Sequence, residues 1–398
     1  MPATKNKVNS RPTTYAVYAL GCQQNWYDAE QTAYLCDQLG LYPEKPEQAD
    51  LVIVFSCSVR QKAVDRLHGF MAKWRKITPH QEVLVTACVL PHDRPKLSEH
   101  ARLIPDQEIR DYLIKRFGKP DPARELSSTS TGPAQYDTEP NHAFIPITIG
   151  CNNFCTFCAV PHTRGREQSR PAILVLAEIA KNIKQGKTNI TLLGQNVNSF
   201  GLSDFNPRDL RKNRDRSGTE WSPEHPSPFV ELLRKVDQLD QIGSVAFLSP
   251  NPQDFSSDLI DYMAKSRVFT RTLNLPLQSG SDRILKLMNR RYSQAEYLKL
   301  VDDIRTAVPD IIISTDIIVG FPTETDADFT ETMKVVHHSN FAKVFIGIYS
   351  PRQGTASTKL YPDDVPYTKK HERFTVLNDL LNKQETKLDA RTAGRIVI

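Results

Sequence analysis

The sequence has no apolar run of membrane length. Its apolar stretches, such as Leu51–Phe55 and Ile311–Ile313, fall far short of the roughly 20 residues that cross a bilayer, which excludes a transmembrane role. The first residues, Met1 to Thr14, carry Lys5, Lys7 and Arg11 but no apolar central stretch, so they do not read as a secretory signal and the default compartment is the cytoplasm. Cysteine is scarce, seven in 398 residues. So few, and an odd number, do not make a disulfide framework; in a reducing compartment they read as metal ligands or redox groups. An excess of one charge is nearly absent too: 51 Lys and Arg against 46 Asp and Glu leave a net +5, a mildly basic soluble chain. No solenoid-type repeat is visible. At about 150 residues per domain this length suggests two or three domains.

What the chain does contain is alternation. Three β-rich runs, Tyr15–Leu20, Leu51–Phe55 and Val83–Ala87, each lead into a cysteine, Cys22, Cys57 and Cys88. Between them Asp28–Leu39 sets Ala29, Ala33, Cys36 and Leu39 on one helical face before Gly40, and Gln61–Lys76 reads as a surface helix. Strand, helix, strand, helix, strand predicts an open parallel sheet, whose ligands collect at the carboxyl ends of its strands. Three cysteines distant in sequence are thereby expected to converge. Residues 121–140 shift to Pro, Ser, Thr and Gly and read as a linker.

Beyond the linker, runs at Phe144–Ile149, Asn189–Leu193, Ser244–Leu248, Thr272–Leu275, Ile311–Val319 and Lys343–Tyr349 alternate with amphipathic segments. About six βα units predict a full or partial parallel barrel with its functional groups on the loops after the strands; a flat doubly wound sheet stays open from pattern alone. An insertion from Gly201 to about Pro228 carries Arg208, Arg211, Lys212, Arg214 and Arg216, read as a solvated loop rather than a nucleic-acid contact. Tyr367–Arg391 reads as a charged helix, followed by the β-like run Gly394–Ile398.

Straight after the first barrel strand come Cys151, Cys155 and Cys158, spaced C-x3-C-x2-C. Three thiolates on one short loop can bind three irons of a cubane cluster and leave the fourth open to another ligand. Zinc is the competitor, but it wants a fourth donor, which His162 would have to supply. Cys22, Cys57 and Cys88 are either buried structural cysteines or, as their strand-end positions favour, a second cluster site; Cys36 reads as a core residue.

These motifs carry a resemblance. C-x3-C-x2-C ahead of a βα barrel is similar to the radical S-adenosylmethionine (SAM) enzymes. More closely, the segments LGCQQNWYDAE at 20–30, SCSVRQKAVDR at 56–66, GCNNFCTFCAVPHTRGREQSRP at 150–171, LLGQNVNSFG at 192–201, LPLQSGSDRILKLMNR at 275–290 and TDIIVGFPTET at 315–325 resemble the methylthiotransferases of that superfamily. VPHTRGREQSRP and LLGQNVN look most like the branch that makes 2-methylthio-N(6)-isopentenyladenosine beside the anticodon of tRNA. The resemblance implies an α/β chain: an N-terminal open-sheet methylthiotransferase domain (14–120), the linker, a partial (β/α)6 radical-SAM barrel (141–370), and a C-terminal helix with only the start of a TRAM β-barrel (371–398). It implies two 4Fe-4S clusters, one on Cys151, Cys155 and Cys158 and an auxiliary one on Cys22, Cys57 and Cys88, facing one cavity. SAM at the first yields the radical that removes hydrogen from adenine carbon 2, and sulfur carried on the second is methylated and transferred. Its partners are then a tRNA bearing N(6)-isopentenyladenosine, an electron donor and a sulfur donor.

For SAM the resemblance points to Gln195, Asn196, Gln278, Ser279 and Asp316, against the alternative that these polar groups cap helices. Arg164, Arg166 and Arg170 are candidates for tRNA phosphate or the SAM carboxylate. Departures from the family pattern are Ser56 for Thr, Ala87 for the Gly before the third cysteine, Pro250-Asn251 for Ser-His, and Thr323 for a turn Gly. With little net positive charge and a curtailed TRAM segment, weaker tRNA binding than that of a longer relative is expected. Methylthiolation of threonylcarbamoyladenosine in tRNA or of a ribosomal protein, an inactive iron–sulfur RNA-binding protein and a zinc scaffold are the alternatives.

Overall fold

The computed structural model describes residues 12–57, 61–124, 140–202 and 220–385. The chain divides into two compact units, Met1–Asp137 and Thr138–Ile398. The insertion arginines Arg208, Arg211, Arg214 and Arg216, most of the 121–140 linker and the Gly394–Ile398 run lie outside the described residues.

In the first unit β1 (Thr14–Ala19), β2 (Tyr42–Pro43), β3 (Leu51–Ser56), β4 (Glu82–Ala87) and β5 (Arg102–Leu103) form a wholly parallel sheet in the order β2-β1-β3-β4-β5. Every residue of β3 is buried, as expected of a central strand covered on both faces. Helices α1 (Gln23–Gln38), α2 (Gln61–Ile77), α3 (Arg94–Ser98) and α4 (Ile109–Phe117) supply the cover. Leu51, Ile53 and Phe55 pack with Ala29, Ala33 and Leu113 on one side, whereas Val52 and Val54 pack with Leu67, Met71 and Trp74 on the other. Each such Val, Leu, Ile, Phe or Met side chain removed from water contributes about 1.5–3 kcal/mol. Helix α1 starts at Gln23, five residues ahead of the Asp28 expected from periodicity.

The second unit is a partial barrel. β6 (His142–Pro146), β9 (Asn189–Leu193) and β10 (Ser244–Phe247) form one parallel sheet, and β11 (Thr272–Asn274), β12 (Ile312–Val319) and β13 (Lys343–Ile348) another. An isolated parallel bridge from Val245 to Phe269 stitches them together. Among the described residues β6 and β13 are not paired, so the six strands make an open barrel in chain order. The expected strand 144–149 is split: β6 ends at Pro146, and β7 (Thr148–Ile149) turns away to pair antiparallel with β8 (Gln168–Ser169). Proline has no N–H for a ladder. Around the barrel stand α5 (Val160–Thr163), α6 (Ala172–Lys184), α7 (Pro228–Asp237), α8 (Ser257–Lys265), α9 (Asp282–Leu287), α10 (Gln294–Ala307), α11 (Asp326–Ser339), α12 (Ala356–Leu360) and α13 (Tyr367–Glu385). No helix among the described residues is long and apolar enough to cross a membrane.

Candidate functional site

In the first unit the ends of β1, β3 and β4 are laced together. The Leu20 amide donates to the Phe55 carbonyl at 2.8 Å, and the Cys88 amide to the Ser56 carbonyl at 3.2 Å. The buried Asn25 side chain bridges the first two ends, donating to the carbonyls of Leu20 (2.6 Å) and Ser56 (2.9 Å). Gly21 has φ +102°, and a Cβ there would lie 2.5 Å from Cys57 Cβ and 2.7 Å from its Sγ. Only glycine fits that contact. Cys22, exposed, caps α1; Cys57 and Cys88 are buried. Three thiols thus stand at the carboxyl ends of three adjacent parallel strands, while Cys36 has no exposed surface and sits in the core. Ala87, where a glycine was expected, has φ +67°.

In the second unit the C-x3-C-x2-C loop follows β7. Gly150, at φ +76°, approaches the 165–166 backbone so closely that a Cβ would meet the Arg166 carbonyl oxygen at 2.3 Å. The loop is pinned by the segment after α9. Asn289 donates through Nδ2 to the carbonyls of Asn153 (3.1 Å) and Phe154 (3.0 Å), the Thr156 amide donates to the Met288 carbonyl at 3.0 Å, and the Thr156 hydroxyl donates to Leu287 at 2.9 Å. Burial pushes the Cys151 thiol up, against the Asn153 amide that donates to its Sγ at 3.5 Å. Arg290 Nη1 donates to Cys155 Sγ at 3.3 Å.

Among the described residues no group of three His, Cys, Asp or Glu side chains is arranged to hold a single metal ion. Zinc needs its donors about 2.0–2.3 Å from one point, whereas a cubane takes one thiolate per iron at separate corners. Thiols spread along one loop, with N–H groups aimed at two of the sulfurs, fit the cluster.

A polar network lines the loops after β9 and β10. Asn196 is buried and donates through Nδ2 to Asp254 Oδ2 at 2.8 Å; its Oδ1 is buried without a hydrogen-bond partner. Ser199 donates to Glu167 Oε1 at 2.6 Å. Burial, with Asp254 adding to it against the Ser199 hydroxyl, pushes Glu167 up to about 8, and burial raises Asp254 against its bonds to Asn196 and Gln253. Gln195 is half-buried beside this network. Asn251, at one family departure, exchanges two hydrogen bonds with the Asn198 side chain (2.8 and 3.0 Å), so the altered residue is bound into the same loops.

Gln278 and Asp316 meet at a different place. The Gln278 amide donates to the Asp316 carbonyl at 2.8 Å and its carbonyl accepts from Ile318 at 2.9 Å; Gln278 has φ +68°. Ser279 has no exposed surface, and its hydroxyl lies against Thr332 (3.4 Å) and the Ser281 amide (3.3 Å), a role within the turn. Of the three arginines, Arg164 is buried and Arg170 is engaged internally by the Pro146 carbonyl (2.7 Å) and Glu178 (2.6 Å). Arg166 is exposed, with its guanidinium 4.4 Å from the Phe154 ring centre. Glu167, Asp254, Asn289 and Arg290 were not singled out from sequence. Glu167, Asn289 and Arg290 lie inside the motifs quoted, where their type alone gives no hint of a partner.

Residues 145–336 match the Radical SAM superfamily, and residues 14–105 match the uncharacterized protein family UPF0004. The tRNA-2-methylthio-N(6)-dimethylallyladenosine synthase of Thermotoga petrophila is 36% identical over 394 residues, covering 96% of this chain and 85% of the relative. The protein of the same name from Mycobacteroides abscessus is 35% identical over 425 residues, covering 100% of this chain and 78% of the relative. The solved radical S-adenosylmethionine methyltransferase TsrM from Kitasatospora setae aligns at TM-score 0.54 and 12% identity, covering 84% of this chain and 72% of TsrM, a likeness of fold. The parallel sheet, the open barrel and the cysteine loop are those of a known lineage, and this chain belongs to the tRNA-2-methylthio-N(6)-dimethylallyladenosine synthase family of radical SAM proteins.

Proposed function

We propose that this chain methylthiolates carbon 2 of N(6)-dimethylallyladenosine, the nucleoside also called N(6)-isopentenyladenosine, beside the anticodon of tRNA. The observation that carries the reading is one chain holding two thiol triads: Cys151, Cys155 and Cys158 on a strand-end loop, and Cys22, Cys57 and Cys88 at three neighbouring strand ends. Radical SAM chemistry uses a 4Fe-4S cluster and SAM, which when bound supply the one-electron chemistry that an inert aromatic C–H bond requires. In this reading Cys151, Cys155 and Cys158 hold that cluster, and Cys22, Cys57 and Cys88 hold a second, from which sulfur is delivered. Residues 14–120 form the methylthiotransferase domain, 141–370 the radical-SAM domain and 371–398 the C-terminal segment.

The chain's own groups bind and orient. Asn196, whose buried Oδ1 lacks a partner, offers an acceptor to SAM, with Gln195 beside it; a buried acceptor left unpaired costs about 1–3 kcal/mol until a donor arrives. In the same reading Gln278 and Asp316, joined by a backbone hydrogen bond, are the further SAM contacts, with Ser279 held inside the turn. Arg166 is the arginine free to reach a phosphate. The reaction needs a low-potential one-electron reductant and a sulfur donor as partners, and cytoplasmic residence goes with a tRNA substrate.

Nucleoside analysis of tRNA from a deletion strain complemented with this gene tests the substrate. Restored 2-methylthio-N(6)-isopentenyladenosine is expected; methylthiolated threonylcarbamoyladenosine in its place would overturn the assignment. Iron and sulfide after anaerobic reconstitution test the two triads. About eight irons per chain should fall to about four in a C22A/C57A/C88A variant, and a wild type that holds only four leaves no sulfur-carrying cluster.

A further inference from the structure

Cys155 receives a bond from a cation. Arg290 Nη1 donates to Cys155 Sγ at 3.3 Å, while Nη2 donates to the Pro276 carbonyl at 3.3 Å and Nε to the Tyr292 hydroxyl at 3.0 Å. Tyr292 is itself tied down, donating to the carbonyls of Pro276 (3.1 Å) and Leu277 (2.8 Å). All three nitrogens of the guanidinium are therefore held in a planar fork, a preorganisation that lysine lacks. No carboxylate lies within salt-bridge distance of Arg290 among the described residues, and at longer range its charge acts on the buried Asp254 carboxyl as well as on Cys155. The residue before it, Asn289, is a scaffold: it sits at φ +57°, and its amide holds the Asn153 and Phe154 carbonyls without touching sulfur. Position and charge are delivered by two adjacent side chains, and they can be separated by mutation.

We infer that Arg290 sets the reduction potential of the cluster held by Cys151, Cys155 and Cys158, by donating a charge-assisted hydrogen bond to the Cys155 sulfur. The inference rests on the reading that these cysteines hold a cluster. When an external low-potential donor passes one electron to the cluster, negative charge on its sulfurs rises. A fixed cation and N–H donor at one sulfur favours that reduced form, and hydrogen bonds to sulfur and net charge are among the levers that set cluster potentials. Arg290 is a positioning and tuning residue, acting through Cys155.

The test is an anaerobic potentiometric titration of the full chain, with the SAM-responsive EPR signal of the reduced cluster as readout. Iron content and a thermal melt accompany each protein. R290M is expected to load the same iron as the wild type, with its reduced-to-oxidised ratio at any poised potential lowered about tenfold, about 59 mV for a one-electron couple. R290K, which restores charge without the fork, is expected to shift less in the same direction. N289A, which removes only the scaffold bonds, is expected to keep the wild-type potential. An R290M protein with full iron and an unmoved potential would overturn the inference, as would N289A moving as far as R290M. A folded R290M that holds no iron also overturns it, since Arg290 would then be a scaffold for the loop; if R290M melts early, R290K carries the decision, and a wild-type potential there counts against the fork. A wild type with no SAM-responsive signal sinks the cluster reading itself, a failure distinguishable from these.

Discussion

The buried pair of Arg373 and Glu324 gives a prediction whose size can be worked out. Helix α13 lays Arg373 Nη1 2.8 Å from Glu324 Oε2, and Nη2 2.9 Å from Asp326 Oδ1. Side-chain exposure is 4% for Arg373 and 1% for Glu324. Burial raises Glu324 from 4.5 to about 7, opposed by the Gly320 amide and by Arg373. A carboxyl raised in the folded state binds more protons there than in the unfolded chain, so this group lowers stability as pH climbs from 4.5 towards 7 and adds no further slope above it. Replacing Arg373 by Met removes the cation that lets Glu324 ionise. In the variant Glu324 stays protonated to higher pH, and the folded state loses a further ~1.4 kcal/mol for each pH unit above 7. R373M should therefore differ from wild type by well under ~1 kcal/mol from this cause at pH 5.5 and by about 2 kcal/mol at pH 8.5, within the several kcal/mol known for broken buried pairs. Urea unfolding of the apo protein followed by circular dichroism at several pH values measures it. In an E324Q background, which cannot ionise, the pH dependence of the Arg373 effect should vanish. A cost of R373M that is the same at pH 5.5 and 8.5 would refute the reasoning, because packing alone would then explain it.

Three further outcomes are expected. Gly21→Ala drives a Cβ into Cys57 at a φ of +102°, so reconstituted iron should drop by about half, with the Cys151 loop still loaded; full iron in G21A would mean that the N-terminal thiols need no such approach. Gly69, inside α2 with nothing within 4 Å of an added Cβ, should gain about 0.5–1 kcal/mol on substitution by Ala, and an unchanged or lowered midpoint in urea would contradict it. Thr323, β-branched at φ +66°, should be stabilised by about 0.5–1 kcal/mol on replacement with Asn, which tolerates the left-handed region; thermal melts that place T323N below wild type would show that the Thr323 hydroxyl, which accepts from Arg283 at 3.0 Å, outweighs its backbone strain.

The alternation of β-rich and amphipathic runs was enough to read the N-terminal parallel sheet and the six later βα units, though not to choose a barrel over a flat sheet, because burial on both faces of a strand and on one stripe of a helix leaves a periodic trace. Cysteine spacing was equally legible, since the C-x3-C-x2-C loop is local. Other features left no such trace. Helix α1 begins five residues before its apolar pattern does: its first turn is polar, yet Gln24 and Asn25 are buried, Asn25 by bonds to two strand ends. Strands β2 and β5 have two residues each, too short to show a period. The C-x3-C-x2-C loop is held by Asn289 and Arg290, some 135 residues away, and nothing in the spacing of either segment encodes the meeting. The departures from the family pattern are the instructive case. Ala87 and Thr323 stand where the resemblance puts glycine, and both take a positive φ, at +67° and +66°. Neither side chain favours that region, so the geometry beside Cys88 and at the turn before α11 is imposed by the surrounding hydrogen bonds rather than by local preference. A strained backbone that persists without glycine is over-determined by its neighbours, here the Cys88 amide on the Ser56 carbonyl and the Thr323 amide on Asp364.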